Sequence, residues 1–324
     1  MNYTDNALNV MAARTFKGIG RAWLAKNLAT VKTDHEIVDL LNDSLKNQGF
    51  VTLDDFERKK ILLQHLLKKN SVYIDGVTAI GDLDFPSYRG KVKPSEQPAF
   101  LFYRGDLSLL AAGSNNIAVI GLLEPDTETE NFERIVVAEL VARGVVIVSG
   151  LAFGCDSIAH RQALESGGKT IAILPSPLSN IMPSANKDLA AEIVASGGLL
   201  ITEYLTEPKA KMEMTGRYQE RDRLQALFSN AVVLSASYAK NKIGNDSGSR
   251  LAMGYAQDYG LTRAVLYNPD TNANNPKYDL NRQIIGEQPV AIIIGPDNLE
   301  AGISKLAALQ TKPEIEVPEQ MSII

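Results

Sequence analysis

From Asn116 onward, short apolar runs recur along the chain. Ile117–Gly121 (IAVIG), Val145–Gly150 (VVIVSG), Thr170–Leu174 (TIAIL), Leu199–Glu203 (LLITE), Ala231–Ser235 (AVVLS), Arg263–Tyr267 (RAVLY) and Val290–Ile294 (VAIII) are nearly all aliphatic. Most are separated by stretches with apolar residues three and four apart, such as ENFERIVVAELVARG and DSIAHRQALESGG. Continuous apolar strands alternating with helices predict a parallel sheet covered on both faces. The expected fold class is α/β: a Rossmann-like, doubly wound, mostly parallel sheet over residues 116–310. Ligands of such a sheet bind beyond the carboxyl ends of the strands.

The rhythm before Asn116 is different. From Ala7 to about Lys69 the spacing is helical throughout, which predicts a small helical domain over residues 1–75. Asp54 and Asp55 stand where an N-cap of its last helix is expected. The KGIG turn, Lys17–Gly20, resembles the hairpin of helix–hairpin–helix (or SAM-like) DNA-backbone binders, although a Gly-x-Gly turn between helices is common. Residues 76–115 carry Pro, Gly and Ser too often for a long helix and read as a connector with short extended pieces. Residues 311–324 read as a tail.

Composition narrows the possible functions. With 45% hydrophobic and 22% charged residues, the 324-residue chain has ample material for a core. One cysteine excludes an internal disulfide and fits a reducing compartment. With no signal-peptide pattern and no long apolar run, a cytoplasmic location and no membrane contact are expected. Three histidines and one cysteine at unrelated spacings predict neither a metal site nor a metal cofactor. The net charge of −5 disfavours general affinity for nucleic acid without excluding a local basic groove.

The stretch SGLAFGCDSIAH, Ser149–His160, concentrates the candidate chemistry. Ser149, Gly150 and Gly154 let a backbone approach a ligand, and the helix that follows aims free N–H groups at it. The plainer reading is a strand–helix turn with Asp156 as N-cap. Asp156 and His160 lie four apart and could pair, whereas Cys155 has no evident base partner for a nucleophilic role. Arg217, Arg221 and Arg223 precede the fifth of these strands, where they can contact phosphate or pair with Glu220 and Asp222. Beyond it, Lys240, Lys242 and Arg250 flank Ser247-Gly248-Ser249, a second turn fit to hold an anion.

Taken in order, GDLDFP, PAFLFYRGDLSLL, IAVIG, SGLAFGCDSIAH, GGKTIAILPSPL, MPSANKDL, GGLLITE, RDRLQALFSNAVVLSA and SGSRLAMGYA resemble the signatures of the DprA/Smf family (DNA-processing protein A). The resemblance covers most of the chain. It implies a cytoplasmic, Rossmann-like homodimer that binds single-stranded DNA in recombination or natural transformation and loads a RecA-type recombinase, with no catalytic residues and no cofactor. It assigns nucleic-acid contacts to Gly121, Ser149, Gly150, Phe153, Gly154, Lys187, Arg217, Arg221, Arg223, Lys240, Lys242, Ser247, Gly248, Ser249 and Arg250. Asp156, His160, Asn186 and Glu203 would support them.

The chain also departs from the family pattern. Gly121-Leu122-Leu123 stands where Gly-Ser-Arg is usual, with Glu124 and Asp126 close behind. Phe153 occupies a position usually held by Lys or Arg, Cys155 replaces an Ile-like residue, and Arg221-Asp222-Arg223 replaces Arg-Asn-Arg. The loop before Ser247 is lengthened, and no winged-helix tail is expected. Phe153 either stacks a base or packs. Two further functions therefore stand beside DNA binding: a nucleotide sensor or nucleotide-processing protein of the wider Smf/DprA–LOG superfamily, with defence as one setting, or a partner protein that has lost its ligand. The enzyme reading is the weaker, because no nucleophile–base set stands out from spacing.

Overall fold

The computed structural model describes residues 1–45, 49–240 and 247–309. Four helices come first: α1 (Asp5–Arg14), α2 (Arg21–Asn27), α3 (Asp34–Ser44) and α4 (Leu53–Asn70). Threonines start the last two. Thr33 accepts from the Glu36 N–H at 3.3 Å and Thr52 from the Asp55 N–H at 3.1 Å, while each carboxylate reaches back to its threonine. These are capping boxes, so Asp54 and Asp55 lie inside the first turn of α4 and neither is its N-cap. In KGIG, Gly18 takes a positive φ of 89° and Ile19 is buried, which closes the corner between α1 and α2.

Two strands follow, β1 (Gly76–Ala79) and β2 (Phe100–Gly105). The chain then alternates: β3 (Asn116–Ile120), α5 (Thr127–Ala142), β4 (Val146–Ser149), α6 (Cys155–Glu165), β5 (Thr170–Ile173), α7 (Lys187–Ala195) and β6 (Leu199–Thr202). It continues through α8 (Lys211–Leu227), β7 (Ala231–Leu234), α9 (Ser247–Asp258), β8 (Thr262–Leu266), α10 (Pro269–Asn272), α11 (Asp279–Ile285), β9 (Ile292–Ile294) and α12 (Leu299–Ala307). The strands form one sheet in the order β1-β2-β6-β5-β4-β3-β7-β8-β9. All neighbours from β6 to β9 are parallel, whereas β1–β2 and β2–β6 are antiparallel. Residues 76–105 thus extend the sheet as well as connecting to it.

Side-chain alternation divides the core between two faces. Ala118 and Ile120 of β3 pack with Leu224 of α8 and Met253 of α9, whereas Ile117 and Val119 meet Val136 of α5, Ala159 of α6 and Ile303 of α12. The N-terminal helices share one continuous apolar cluster with β1, β2 and α7, through Val10, Leu24, Phe56, Val77, Phe102 and Ile193. Arg21 of α2 adds ion pairs across this contact, to Glu203 at 3.2 Å and Glu220 at 2.7 Å. Strand order reverses at β3, with β4 to one side and β7 to the other. Such a reversal is where the crevice of a doubly wound sheet opens.

Candidate nucleic-acid interface

The loop between β4 and α6 is a packed turn whose polar groups mostly face inward. Ser149 is fully buried and donates its hydroxyl to the Val119 carbonyl at 2.7 Å, so it supports the sheet and does not reach a ligand. Leu151, also buried, takes a left-handed φ of 60°, which costs of order 1–3 kcal/mol for a side chain of this kind. Asn186 holds that conformation by donating to the carbonyls of Leu151 (2.9 Å) and Ala152 (3.3 Å). Asp156 accepts from the Ala152 N–H at 3.2 Å, and Cys155 N–H donates to the Leu122 carbonyl at 3.0 Å. With its amide oxygen turned toward Gly150, Gln225 accepts from that N–H at 3.0 Å. These loop amides therefore already have acceptors within the protein. The N-cap of α6 is Gly154, at φ 66°, so Asp156 stands inside the first turn instead of capping it.

The glycines here make room for protein. A Cβ on Gly154 would lie 2.2 Å from the Leu122 carbonyl oxygen, and one on Gly121 would lie 2.7 Å from Cys155 Sγ. Behind the first loop, Asp126 caps α5 through Thr129 N–H (2.9 Å) and pairs with Lys277 at 3.5 Å. One of the two carboxylates near that loop is therefore a helix cap.

The three arginines of α8 separate. Arg223 is 1% exposed and pairs with Glu203 (2.6 Å) and Glu220 (3.2 Å), while also donating to the Glu96 carbonyl. It joins α8 to the end of β6 and the segment before β2, away from any open surface. Arg217 stacks over Tyr204 at 4.1 Å and pairs with Glu213 at 2.6 Å, facing the N-terminal helices. Only Arg221 reaches the crevice, and it lies between two carboxylates, Asp156 at 3.3 Å and Asp222 at 3.4 Å. Burial works against its charge, and Asp222 and Asp156 more than restore it.

A groove of about 440 Å³ opens over the ends of β3 and β4, flanked by α8 and α9. Phe153, 50% exposed, lies along it with Tyr218, Met182, Pro183 and Leu251. Arg221, Asp222, Gln219 and Thr215 form its polar side. A recess of about 60 Å³ continues inward beside Gly121, Asp156, Gln225 and Ser249. Ser249 donates to the Gly121 carbonyl at 3.4 Å, tying the first loop to α9, and Gly248 lines both spaces. Lys187 and Lys240 are exposed but do not line the groove; Arg250 is half-buried in the first turn of α9. Lys242 and the side chain of Ser247 lie outside the described residues, as does the tail from residue 310.

Beneath the first loop sits a group that spacing did not reveal. Glu133 of α5 is fully buried beside Cys155 and Ser235, and neither carboxylate oxygen has a hydrogen bond of normal geometry. Burial pushes its carboxyl up to about 8, against hydrogen bonding from Cys155 and Ser235, and the Asp156 charge adds to the rise. Burial and then Glu133 push the Cys155 thiol up as well, so it is no thiolate nucleophile. His160 Nδ1 lies 2.6 Å from Thr170 Oγ1, whose proton is donated to the Ile147 carbonyl, so Nδ1 carries the imidazole proton. Burial and the Arg221 charge push His160 down to about 3, and its contact is Thr170 instead of Asp156.

Glu133 has a measurable consequence. A carboxyl raised in the folded state holds its proton more tightly there than in the unfolded chain. Its contribution to stability is therefore present at low pH and is lost as pH rises from about 4.5 toward about 8. Glu133→Gln should match the wild type in acid and melt at progressively higher temperature than it through that window. Parallel melting curves across the window would show that Glu133 is ionised in the fold.

The family model of DNA recombination-mediator protein A matches residues 76–299. The chain belongs to this family. Protein Smf of Escherichia coli is 33% identical over 212 residues, covering 64% of this chain and 53% of that protein. DNA processing protein DprA of Bacillus subtilis is 30% identical over 174 residues, 54% of this chain and 56% of that protein. The chain spans about half the length of the curated relatives it matches. Among solved structures, DNA processing protein A of Streptococcus pneumoniae aligns with a TM-score of 0.67 at 22% identity, over 93% of this chain and 98% of that one. DNA processing protein A of Helicobacter pylori, solved to show its single-stranded DNA binding mode, aligns with a TM-score of 0.53 at 28% identity, over 69% and 97%.

The groove of this chain carries little unbalanced charge among the described residues. Its one lining cation among the described residues, Arg221, is flanked by two carboxylates, and its most exposed lining aromatic is Phe153. Tyr218 and Gln225 escaped sequence reasoning because both lie inside a helical stripe that reads equally as core. No helix among the described residues is long and apolar enough to cross a membrane. No group of three His, Cys, Asp or Glu among them is placed to hold a metal ion.

Proposed function

We propose that this chain holds single-stranded DNA in the groove over β3 and β4, chiefly by stacking and hydrogen bonding and only secondarily by charge. The observation that carries the reading is Phe153: a half-exposed aromatic ring beside Tyr218, at the strand-order reversal of a recombination-mediator fold. Aromatic stacking of a base contributes roughly 1–3 kcal/mol and tolerates any sequence. Phosphate contacts fall to Lys187, Lys240 and Arg250 at the margins, with Gly248 at the groove wall allowing close approach of the strand. Arg221 offers a hydrogen-bonding edge with its charge already balanced. The wider role proposed is that of a cytoplasmic homodimer that passes single strands to a RecA-type recombinase during recombination or natural transformation, as the family resemblance implies.

Few cations near the groove among the described residues mean a shallow salt dependence. Two or three phosphate contacts give a slope of log K against log salt of about −1.4 to −2.1. Oligothymidylate binding, followed by fluorescence anisotropy over a salt series, should show that slope. Phe153→Ala should weaken binding by roughly tenfold with the slope unchanged. Folded protein that fails to bind at about 50 mM salt, where phosphate contacts are strong, sinks the proposal. A second reading, a mononucleotide as ligand, is favoured by the volume of about 440 Å³, within the roughly 300–1,000 Å³ of small-molecule sites. A mononucleotide that competes fully with the oligomer at comparable concentration would select it.

A further inference from the structure

A second cavity, with no lining residue in common with the groove, lies where the N-terminal helices meet the sheet. It encloses about 260 Å³ between α1, α4, β2 and the start of α8. One wall is apolar: Met11, Leu63, Leu66, and the rings of Phe100 and Phe102, which meet edge to face at 5.7 Å. The other end is cationic. Arg14 is exposed and donates one Nη1 bond to the Ile19 carbonyl at 2.9 Å, with no carboxylate partner among the described residues. Arg217, 5% exposed, donates to the Thr206 carbonyl at 2.8 Å, yet its buried Nε has no hydrogen-bond partner.

A buried guanidinium N–H left unsatisfied costs free energy that an acceptor from a ligand would recover. The nearby carboxylate, Glu203, does not repel an anion there, since Arg223 (2.6 Å) and Arg21 (3.2 Å) already neutralise it. Arg217 is itself paired with Glu213 at 2.6 Å, so the net unbalanced charge at the pocket is the positive charge of Arg14. A volume just below the roughly 300–1,000 Å³ of drug-sized sites suits a fragment-sized molecule.

We propose that this junction pocket binds a small amphiphilic carboxylate, its apolar body against Leu63, Leu66, Phe100 and Phe102 and its acid group at Arg14 and Arg217. The site is independent of the reading of the groove. It bridges the helical segment and α8, so an occupant stabilises the contact between them.

The probe is 3-phenylpropanoate, titrated against the full chain by calorimetry, with 3-phenylpropanamide as its uncharged match. The expected result is saturable one-to-one binding of the acid, with the amide at least about tenfold weaker, since a charge-assisted hydrogen bond is the difference. Arg14→Gln, a substitution at an exposed position that should fold normally, should weaken the acid by about tenfold as well. Leu66→Lys should abolish binding, and Phe153→Ala should leave it unaltered. The proposal is overturned if the acid shows no saturable binding at millimolar concentration, if acid and amide bind alike, or if Arg14→Gln has no effect. Loss of binding in Phe153→Ala would place the acid in the groove and overturn it too.

Discussion

Arg223→Ala is expected to destabilise the protein by about 3–5 kcal/mol without altering the salt dependence of DNA binding. The side chain is 1% exposed and pairs with a carboxylate that is itself 9% exposed, Glu203, at 2.6 Å. Its removal leaves Glu203 buried with Arg21 alone and strands the Glu96 carbonyl. Because Arg21 shares Glu203 and Glu220 with Arg223, the loss also loosens the attachment of the N-terminal helices. Denaturant unfolding gives the stability, and the oligothymidylate salt series gives the slope. A variant that unfolds like the wild type while its slope falls by about 0.7 would mean that Arg223 leaves its carboxylates to meet phosphate.

Gly150→Ala is the second large effect, and here the smallest possible side chain does the damage. A methyl at this position would sit 1.3 Å from Arg221 Nη1 and 2.8 Å from Asp156 Oδ2. Arg221 must move, which leaves Asp156 and Asp222 buried without their shared cation. The expected cost is again about 3–5 kcal/mol, together with loss of oligothymidylate binding as the groove wall shifts. A double-mutant cycle with Arg221→Leu checks the cause. Once the guanidinium is gone, the methyl meets no charge, so the two costs should be far from additive. Additive costs would show that the methyl disturbs something other than Arg221.

The sheet was legible for a definite reason. The parallel strands from β3 to β8 are buried on both faces, so their runs of aliphatic residues are continuous and visible without knowing their neighbours, and the edge strand β9 keeps the aliphatic run although Ile293 is exposed. All seven predicted runs are strands, from β3 to β9. The two antiparallel strands were less visible: GVTA and FLFYRG belong to the sheet only because β2 finds β6, nearly a hundred residues later in the chain. Helix α4 differs, since its cap is a local signal, Thr52 followed three residues later by Asp55, and the aspartates alone do not show it.

In the candidate site, chain order located the loops and could not say which way their groups face. Arg217, Arg221 and Arg223 look alike as letters spaced four and two apart on one helix. Their fates differ because Glu213 lies one turn away on the same helix, whereas Glu203 and Asp156 come from other segments, 20 and 65 residues away. Ser149, Gly150 and Gly154 read as an anion cradle, and packing turns their hydroxyl and bare Cα atoms toward protein. Glu133 and Cys155 lie 22 positions apart and become neighbours only when α5 and α6 cover the same face of the sheet.

What the sequence by itself determined was therefore the α/β class, the positions of the seven strands β3 to β9 and the family. The class and the strands follow from periodicity that each segment carries within itself, and the family from the order of motifs along the chain. Only the tertiary structure decided which charges are already neutralised, leaving Phe153 at the groove and Arg14 at the junction pocket as the groups still facing outward. Neutralisation depends on distance in space, and contacts between residues far apart in the chain set that distance.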